Sequence, residues 1–337
     1  VSQSLWKRRA EELAQRLPRG RLHPTVTAWA DRRAARERWA VAVSGGADSL
    51  CLLLLMWAHW PRRRTKLCAL HFDHRLRGAA ARADARFCRT VCRSLGVAFV
   101  GGQWAAPPKL PSEAEARMAR FRFFERELNR RKIRALWLGH QQDDIAETML
   151  MRLARGSGAA GLAAPRPLQS LPRDRSHLRP LLDIKRTEIT AALRASGAPW
   201  REDLSNSTGD FFRNRVRRSV VPAWRRAAGR DALAGAALSR ELLEEDDTAL
   251  QQWVAELKPV TPGGALALNR LAGRPRAVVR RALHQWLLVQ SLSGNLSRRG
   301  FDSLLSAVSL GKPARHSLGA EGFAVIRGKC LLYVKAS

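Results

Sequence analysis

Apolar residues in the first half of the chain fall into short runs separated by stretches of helical spacing. "WAVAV" (39–43) reads as a buried strand by its length and β-branched content. "LCALHFD" (67–73), "VAFV" (97–100) and "RALWLGH" (134–140) are three further strand candidates. Between them the spacing predicts helices. One runs from the loop at Ser44–Ala47 to about Trp57, one spans about 80–95, one spans 112–131, and one runs from Asp143 to Arg155 and ends at Gly156. Ser112 and Glu115 form the capping-box pattern that starts the third of these. Strands alternating with helices predict an α/β fold with a parallel sheet covered on both faces. Such sheets bind ligands at the carboxyl ends of their strands, where the Ser44 loop and the residues after the fourth strand would emerge.

The flanks read differently. Residues 1–38 predict one or two basic helices, broken at Pro18-Arg19-Gly20. Residues 157–180, rich in Gly, Pro, Ser and Arg, predict a mobile loop. A short helix is expected over 183–197, closed by Gly197, and another helical stretch near Gly209. Beyond about residue 230 the pattern is mostly helical, as in "ELLEEDDTALQQWVAEL". The last apolar stretch, "EGFAVIRGKCLLYV", predicts a hairpin with Arg327-Gly328-Lys329 as its turn. The expected organisation is a basic helical segment (1–38), an α/β domain (39–220) and a smaller, mostly helical C-terminal domain (221–337), with no internal repeat.

Charge changes this picture. The 337 residues carry 60 Lys and Arg against 29 Asp and Glu, a formal charge of +31. That excess implies a polyanion partner, because basic side chains release counterions from phosphates. The plainer explanation, a compositional preference for Arg on a solvated surface, leaves the scarcity of acidic residues unexplained. A hydrophobic fraction of 45% excludes wholesale disorder. The cysteines at 51, 68, 88, 92 and 330 include no Cys-x-x-Cys pair, so neither a zinc knuckle nor a disulfide framework is expected. Reduced thiols fit a cytoplasmic protein. The longest apolar run, Leu50 to Ala58, is too short to span a membrane. The N-terminus has no signal-peptide core. The first residue is Val1, so an initiator Met or a leader is expected to be missing from this copy.

The candidate chemistry centres on Ser44-Gly45-Gly46-Ala47-Asp48-Ser49. Glycines let a main chain approach a ligand closely, and successive N–H groups at a helix start form an anion nest. The Lys-Ser/Thr pair of a Walker A loop is absent, as is Gly-x-Gly-x-x-Gly. Without a Lys, the loop suits a pyrophosphate held by backbone and Mg²⁺, with Asp48 facing the metal. Its competing explanation is a tight strand–helix turn with no ligand. In the helix after the fourth strand, Asp144, Glu147 and Thr148 share a face at i, i+3, i+4. Helix capping accounts for acidic residues at that position, more readily for Asp143 than for Asp144 or Glu147. Beside an anion site, Asp144 and Glu147 could hold Mg²⁺ or receive an ammonium.

The six-residue string resembles the PP-loop, Ser-Gly-Gly-x-Asp-Ser, of the ATP pyrophosphatase superfamily. "HFDHRLRG" (71–78), "GHQQDDIAETMLMRLARGSGAAGL" (139–162), "RPLLDIKRTEI" (179–189) and "WREDLSNSTGDFFRNRVR" (200–217) resemble, in order, segments of the tRNA(Ile)-lysidine synthases. The resemblance covers about 39–220, with a weaker likeness beyond, and implies the shorter architecture of that family. Gln141 stands where the family has a second His, and Phe121 where Tyr is commoner.

The resemblance implies an adenine nucleotide alpha hydrolase-like fold. It also implies a ligase that uses ATP and Mg²⁺ to adenylate the wobble cytidine of a CAU-anticodon isoleucine tRNA and then joins L-lysine to C2. It places ATP on Ser44, Gly45, Gly46, Ala47, Asp48 and Ser49, and gives catalytic roles to Asp48 and Asp144. Asp144 and Glu147 are the candidates for lysine or Mg²⁺. His74 would lie near nucleotide or tRNA. Arg77, Arg117, Arg120, Arg152, Arg155, Arg213, Asn214, Arg215 and Arg217 form the candidate tRNA set. Trp200 would stack a base or be buried. A homodimer is compatible with this reading. The alternatives are a tRNA 2-thiolation enzyme on the same loop, a small-molecule amidating ligase, and an RNA-binding protein with an inactive nucleotide fold. The absence of Cys-x-x-Cys weighs against the first and the charge against the second.

Overall fold

In a computed structural model, the residues described are 3–202, 211–290 and 296–336. They form two compact units, Val1–Leu242 and Leu243–Ser337. In the first unit, α1 (Gln3–Arg16) and α2 (Pro24–Asp31) precede β1 (Trp39–Ala42). There follow α3 (Ala47–His59), β2 (Leu67–Asp73), α4 (Ala79–Leu95), β3 (Ala98–Gln103), α5 (Glu113–Arg131), β4 (Ala135–Trp137), α6 (Gln142–Leu153) and α7 (Ala159–Leu162). Then come β5 (Leu168–Leu171), β6 (Arg175–Leu178), α8 (Arg186–Ala195), α9 (Phe212–Arg215), α10 (Val221–Ala227) and the start of α11 (Ala232–Leu257).

The sheet order is β3-β2-β1-β4-β6-β5. Strand β1 is parallel to both neighbours, with Trp39 opposite Leu67 on one side and Ala135 on the other. The chain order runs outward through β2 and β3, then returns to β4. The edge between β1 and β4 is therefore the point where the winding reverses and a ligand crevice opens. Trp39, Ala40 and Val41 are buried on both faces, as a central parallel strand requires. Helix α3 is apolar almost all round because it lies inside the unit, packed by α1 and α8. Trp39, Trp60 and Trp137 form the dense centre, with ring centroids of Trp39 and Trp137 4.8 Å apart. The helices of residues 1–38 join this core through Trp6, Ala10, Leu13, Leu17, Val26 and Ala30.

One expectation is overturned. Residues 157–180 are not a loop throughout: they contain α7 and the hairpin β5–β6. Strand β6 extends the parallel sheet beside β4, Leu136 opposite His177 and Trp137 opposite Leu178. A four-residue strand between Arg- and Pro-rich flanks carries little local signal; its pairing with β4 is a nonlocal gain. Strand β5 is antiparallel, so the sheet is mixed at that edge. The stretch near Gly209 lies outside the described residues; the helix after it begins at Phe212. The first unit extends to Leu242, where the sequence pattern placed a change at 220, because Leu233 and Ala236 pack with Ile145, Val216 and Val221.

The second unit holds the rest of α11, β7 (Leu266–Ala267), α12 (Arg276–Val289), α13 (Arg298–Leu310), β8 (Ala314–Ser317), β9 (Gly322–Arg327) and β10 (Cys330–Lys335). Its sheet, β7-β10-β9-β8, packs on Trp286, Leu283 and Leu304. The hairpin at 321–334 forms as the alternation requires, with Gly328 and Lys329 at φ of 54° and 62° in its turn. Strands β7 and β8 are additions that the helical pattern did not reveal. Among the described residues, no helix is long and apolar enough to cross a membrane.

Candidate active site

The residues after β1 turn sharply into α3. Gly45 has φ +95°, a conformation that L side chains rarely adopt, and Gly46 is the N-cap of the helix. No side chain caps α3, so its first amides are available to an anion. The serines brace the bend. Ser44 N donates to Ser49 Oγ at 3.1 Å, the two hydroxyls are 3.0 Å apart, and Ser49 Oγ donates to Gly46 O at 3.1 Å. His71 Nδ1 donates to Val43 O at 2.8 Å, fixing the end of β1 from β2. Gly139, just beyond β4, allows that chain to approach closely: a Cβ there would lie 3.0 Å from the carbonyl carbon and oxygen of Asp48.

Asp48 points inward from the first turn. Its Oδ1 is buried and has no hydrogen-bond partner. Burial, and secondarily the charge of Asp144, push its carboxyl up to about 7, with Arg186 and Arg217 acting in the opposite sense. Such an oxygen suits a cation or the donors of a ligand. A divalent ion bridging phosphates commonly takes one or two carboxylates.

Across the crevice, α6 begins with a reciprocal cap. Asp143 N donates to Gln141 Oε1 at 2.6 Å, and Gln141 N donates to Asp144 Oδ2 at 3.0 Å. Gln141, fully buried, thus has a structural task at the position where a His was expected from the resemblance. Asp143 Oδ2 accepts from Arg186 N at 3.0 Å, joining α6 to α8. Capping therefore explains both Asp143 and one oxygen of Asp144.

The other oxygen of Asp144 and both oxygens of Glu147 face arginines. Arg213 Nη2 donates to Asp144 Oδ1 at 2.7 Å, and its Nε donates to Glu147 Oε2 at 2.9 Å. Arg217 Nε donates to Glu147 Oε1 at 2.5 Å, and its Nη2 donates to Oε2 at 3.0 Å. Arg213 and Arg217 lie four apart, on α9 and the π-helical turn after it, which turns both toward α6. Burial alone would raise the carboxyl of Asp144. Arg213 and Arg217, with the Gln141 amide, outweigh it and hold it below its ordinary value. Arg213 is raised, its burial outweighed by the two carboxylates.

A second cationic group lies nearby. The guanidiniums of Arg117 and Arg120 sit 4.6 and 5.7 Å from the centroid of Phe121. Burial, then Arg117 and Arg213, lower Arg120 to about 10. Arg179 Nε donates to His140 Nδ1 at 3.2 Å, leaving the ring proton on Nε2; burial and Arg179 keep that ring neutral. His74, with Nε2 3.2 Å from Ala116 O, is lowered to about 4 by burial and Arg120.

The structure thus brings Ser44, Gly45, Gly46, Ala47, Asp48 and Ser49 into one turn, and Asp144 and Glu147 into one network with Arg213 and Arg217. The remaining candidates are more scattered. Arg77 Nη2 donates to Asp84 at 2.9 Å. Arg152 donates to Gly161 O. Asn214 is buried, while Arg155 and Arg215 are exposed. Trp200 packs partly buried against the core with Arg194 over it. Sequence reasoning missed Asp84 altogether and gave no role to Arg179, Arg186 and Arg201, which lie within the quoted segments. Gly139, a glycine at the end of a strand, was the available signal.

A family profile described as a PP-loop domain matches residues 21–224. A tRNA(Ile)-lysidine synthase of Solibacter usitatus is 43% identical over 189 residues, 56% of this chain and 41% of the relative. That of Thermobifida fusca is 36% identical over 269 residues, 75% of this chain and 79% of the relative. Among solved structures, the U34-tRNA thiolase NcsA of Methanococcus maripaludis matches with a TM-score of 0.52 at 18% identity, over 72% of this chain and 80% of that one. That likeness concerns the fold alone. The chain spans about half the length of the first curated relatives it matches. With the profile covering most of the first unit and the Thermobifida relative aligned over most of both chains, this chain belongs to the tRNA(Ile)-lysidine synthase family of PP-loop proteins.

Proposed function

We propose that the protein joins L-lysine to C2 of the wobble cytidine of a CAU-anticodon isoleucine tRNA, with ATP activating the cytidine by adenylation. One juxtaposition carries the reading. A glycine turn with free helix amides and an unpartnered carboxylate oxygen at Asp48 faces a buried acid pair, Asp144 and Glu147, across one crevice. The turn would bind the nucleotide phosphates through its main chain, and Ser44 and Ser49 would keep it in shape. Asp48 fits an ion such as Mg²⁺, which when bound would neutralise the departing pyrophosphate. Asp144 and Glu147 would orient the lysine ammonium, which there competes with Arg213 and Arg217.

Position and fixed charge are the chemistry this chain would supply, in a crevice where oriented dipoles act strongly. Exposed Arg155 and Arg215 are the first candidates for tRNA phosphates, ahead of Arg77, Arg117, Arg120, Arg152 and Asn214. A tRNA substrate and reduced thiols fit a reaction in the cytoplasm. The test is incubation with ATP, labelled lysine and CAU-anticodon tRNA. Labelled tRNA and AMP formed together, with the added mass on cytidine 34, are expected. AMP without labelled tRNA, or sulfur incorporated in place of lysine, would overturn the assignment.

A further inference from the structure

The glycine turn is held from outside by a bracket of residues distant from it in sequence. Arg201 N donates to Gly45 O at 2.9 Å. The same residue's Nε donates to Asp84 Oδ1 at 2.8 Å, and Arg77 Nη2 donates to Asp84 Oδ2 at 2.9 Å. Asp84 is only 5% exposed, on α4. Four residues on, Cys88 closes the same side: a Cβ on Gly45 would come within 3.2 Å of its Sγ and 3.5 Å of Arg201 Cγ. The left-handed residue of the turn is therefore enclosed between a buried thiol and an arginine whose direction is set by a buried carboxylate.

We propose that Asp84 and Arg201 are positioning residues for the nucleotide: they fix the Gly45 peptide so that the amides at the start of α3 converge on phosphate. This deepens the reading of the turn as a nucleotide site and rests on it. The physical reason lies in the peptide's two ends. Its carbonyl accepts from Arg201 N and its N–H, that of Gly46, donates to Ser44 Oγ at 3.3 Å, so both polar groups are satisfied and the peptide plane is fixed just ahead of the α3 amides. Free rotation of that peptide would cost ordering on binding, which a prearranged turn avoids. The Arg201 side chain touches neither phosphate nor base in this role. It anchors its own main chain to α4 through one charge-assisted bond to Asp84, whose other oxygen is held by Arg77.

The test is ATP binding by calorimetry, together with steady-state kinetics, on the wild-type chain and on Asp84→Asn, Arg201→Gln, Arg201→Lys and the Asp84→Asn/Arg201→Gln double variant. Asp84→Asn and Arg201→Gln are each expected to raise the Kd and KM for ATP about tenfold, the scale of losing one hydrogen bond to a charged group. KM for lysine and tRNA affinity should stay near wild type, with Tm lowered in Asp84→Asn because two arginines lose their buried charge partner. Arg201→Lys should recover part of the loss, and the double variant should be no worse than the worse single, since both break one link. Wild-type ATP affinity in Asp84→Asn would overturn the proposal. So would a loss spread equally over ATP, lysine and tRNA, which would mark Asp84 as structural only. Failure of the wild-type chain itself to bind ATP would overturn the nucleotide reading and this inference with it.

Discussion

Two neighbouring carboxylates, half-buried Asp48 and buried Asp144, have opposite fates. Asp48 is raised to about 7, while Asp144 is held below the ordinary carboxylate range. Burial pushes both upward, so burial is not what separates them. Asp144 has two guanidiniums and a helix amide on its oxygens; Asp48 has an oxygen with no partner and feels Asp144 itself. The acid pair on α6 has its oxygens satisfied by two arginines and a helix amide, whereas Asp48 in the turn after β1 keeps an oxygen with no partner. Completeness marks scaffold as readily as site, and incompleteness in a buried position is the stronger sign of a ligand.

The largest expected effect tests the incomplete side. Asp48→Ala should reduce lysidine formation by on the order of 10²–10³, the scale seen when one preorganised electrostatic contact is removed, with tRNA affinity nearly unchanged in a filter-binding assay. Retained turnover would erase the contrast with Asp144. The complete side should respond in stability as well as in KM for lysine. Glu147→Ala strands Arg213 and Arg217, and breaking a buried pair from one partner costs about 3–5 kcal/mol. Urea unfolding followed by circular dichroism would show it, and a loss below about 1 kcal/mol would mean the network is loosely held.

The pH dependence sharpens the same contrast. Unfolded, the Asp48 carboxyl titrates near 3.8; folded, it titrates near 7, so the native state holds the extra proton between these values. Its favourable contribution is full below pH about 4 and is lost as pH rises toward 7. Asp144 has the opposite sign: its contribution is present above its unfolded pKa and is lost as pH falls through the lower folded value. Asp48→Asn should therefore gain stability relative to wild type as pH rises from 4 to 7, by a few kcal/mol at most, at about 1.4 kcal/mol per pKa unit. A constant difference across that range, in urea titrations, would contradict the raised carboxyl. The smallest effect belongs to the brace. Ser49→Ala loses its bonds with Ser44 N and Gly46 O and should cost about 1 kcal/mol, with a modest rise in KM for ATP.

Much of the first unit was legible because its signals are local. β1 and β2 are continuous buried runs, and Ser112 and Glu115 cap α5 as their spacing requires. The turn at Ser44–Ser49 could be located because glycines and serines between a strand and a helix leave few other conformations. Strand β6 was not legible, since four residues with only Ser176 and Leu178 buried take their identity from β4. Nor was the pairing of Arg213 and Arg217 with α6. As a sequence pattern they are basic residues in a basic chain, and only the packing of α9 against α6 turns them from solvent toward two carboxylates.

Sequence by itself determined the alternation of strand and helix, the place of the glycine turn and the family to which the chain is related. These follow from residue type and near-neighbour spacing, which act over one or two turns of backbone. Tertiary structure decided which carboxylate is satisfied and which is not, and which arginine meets an acid rather than water. Those outcomes depend on distances between residues some seventy positions apart. Electrostatic energy depends on separation in space and on exclusion of water, and neither can be read along the chain.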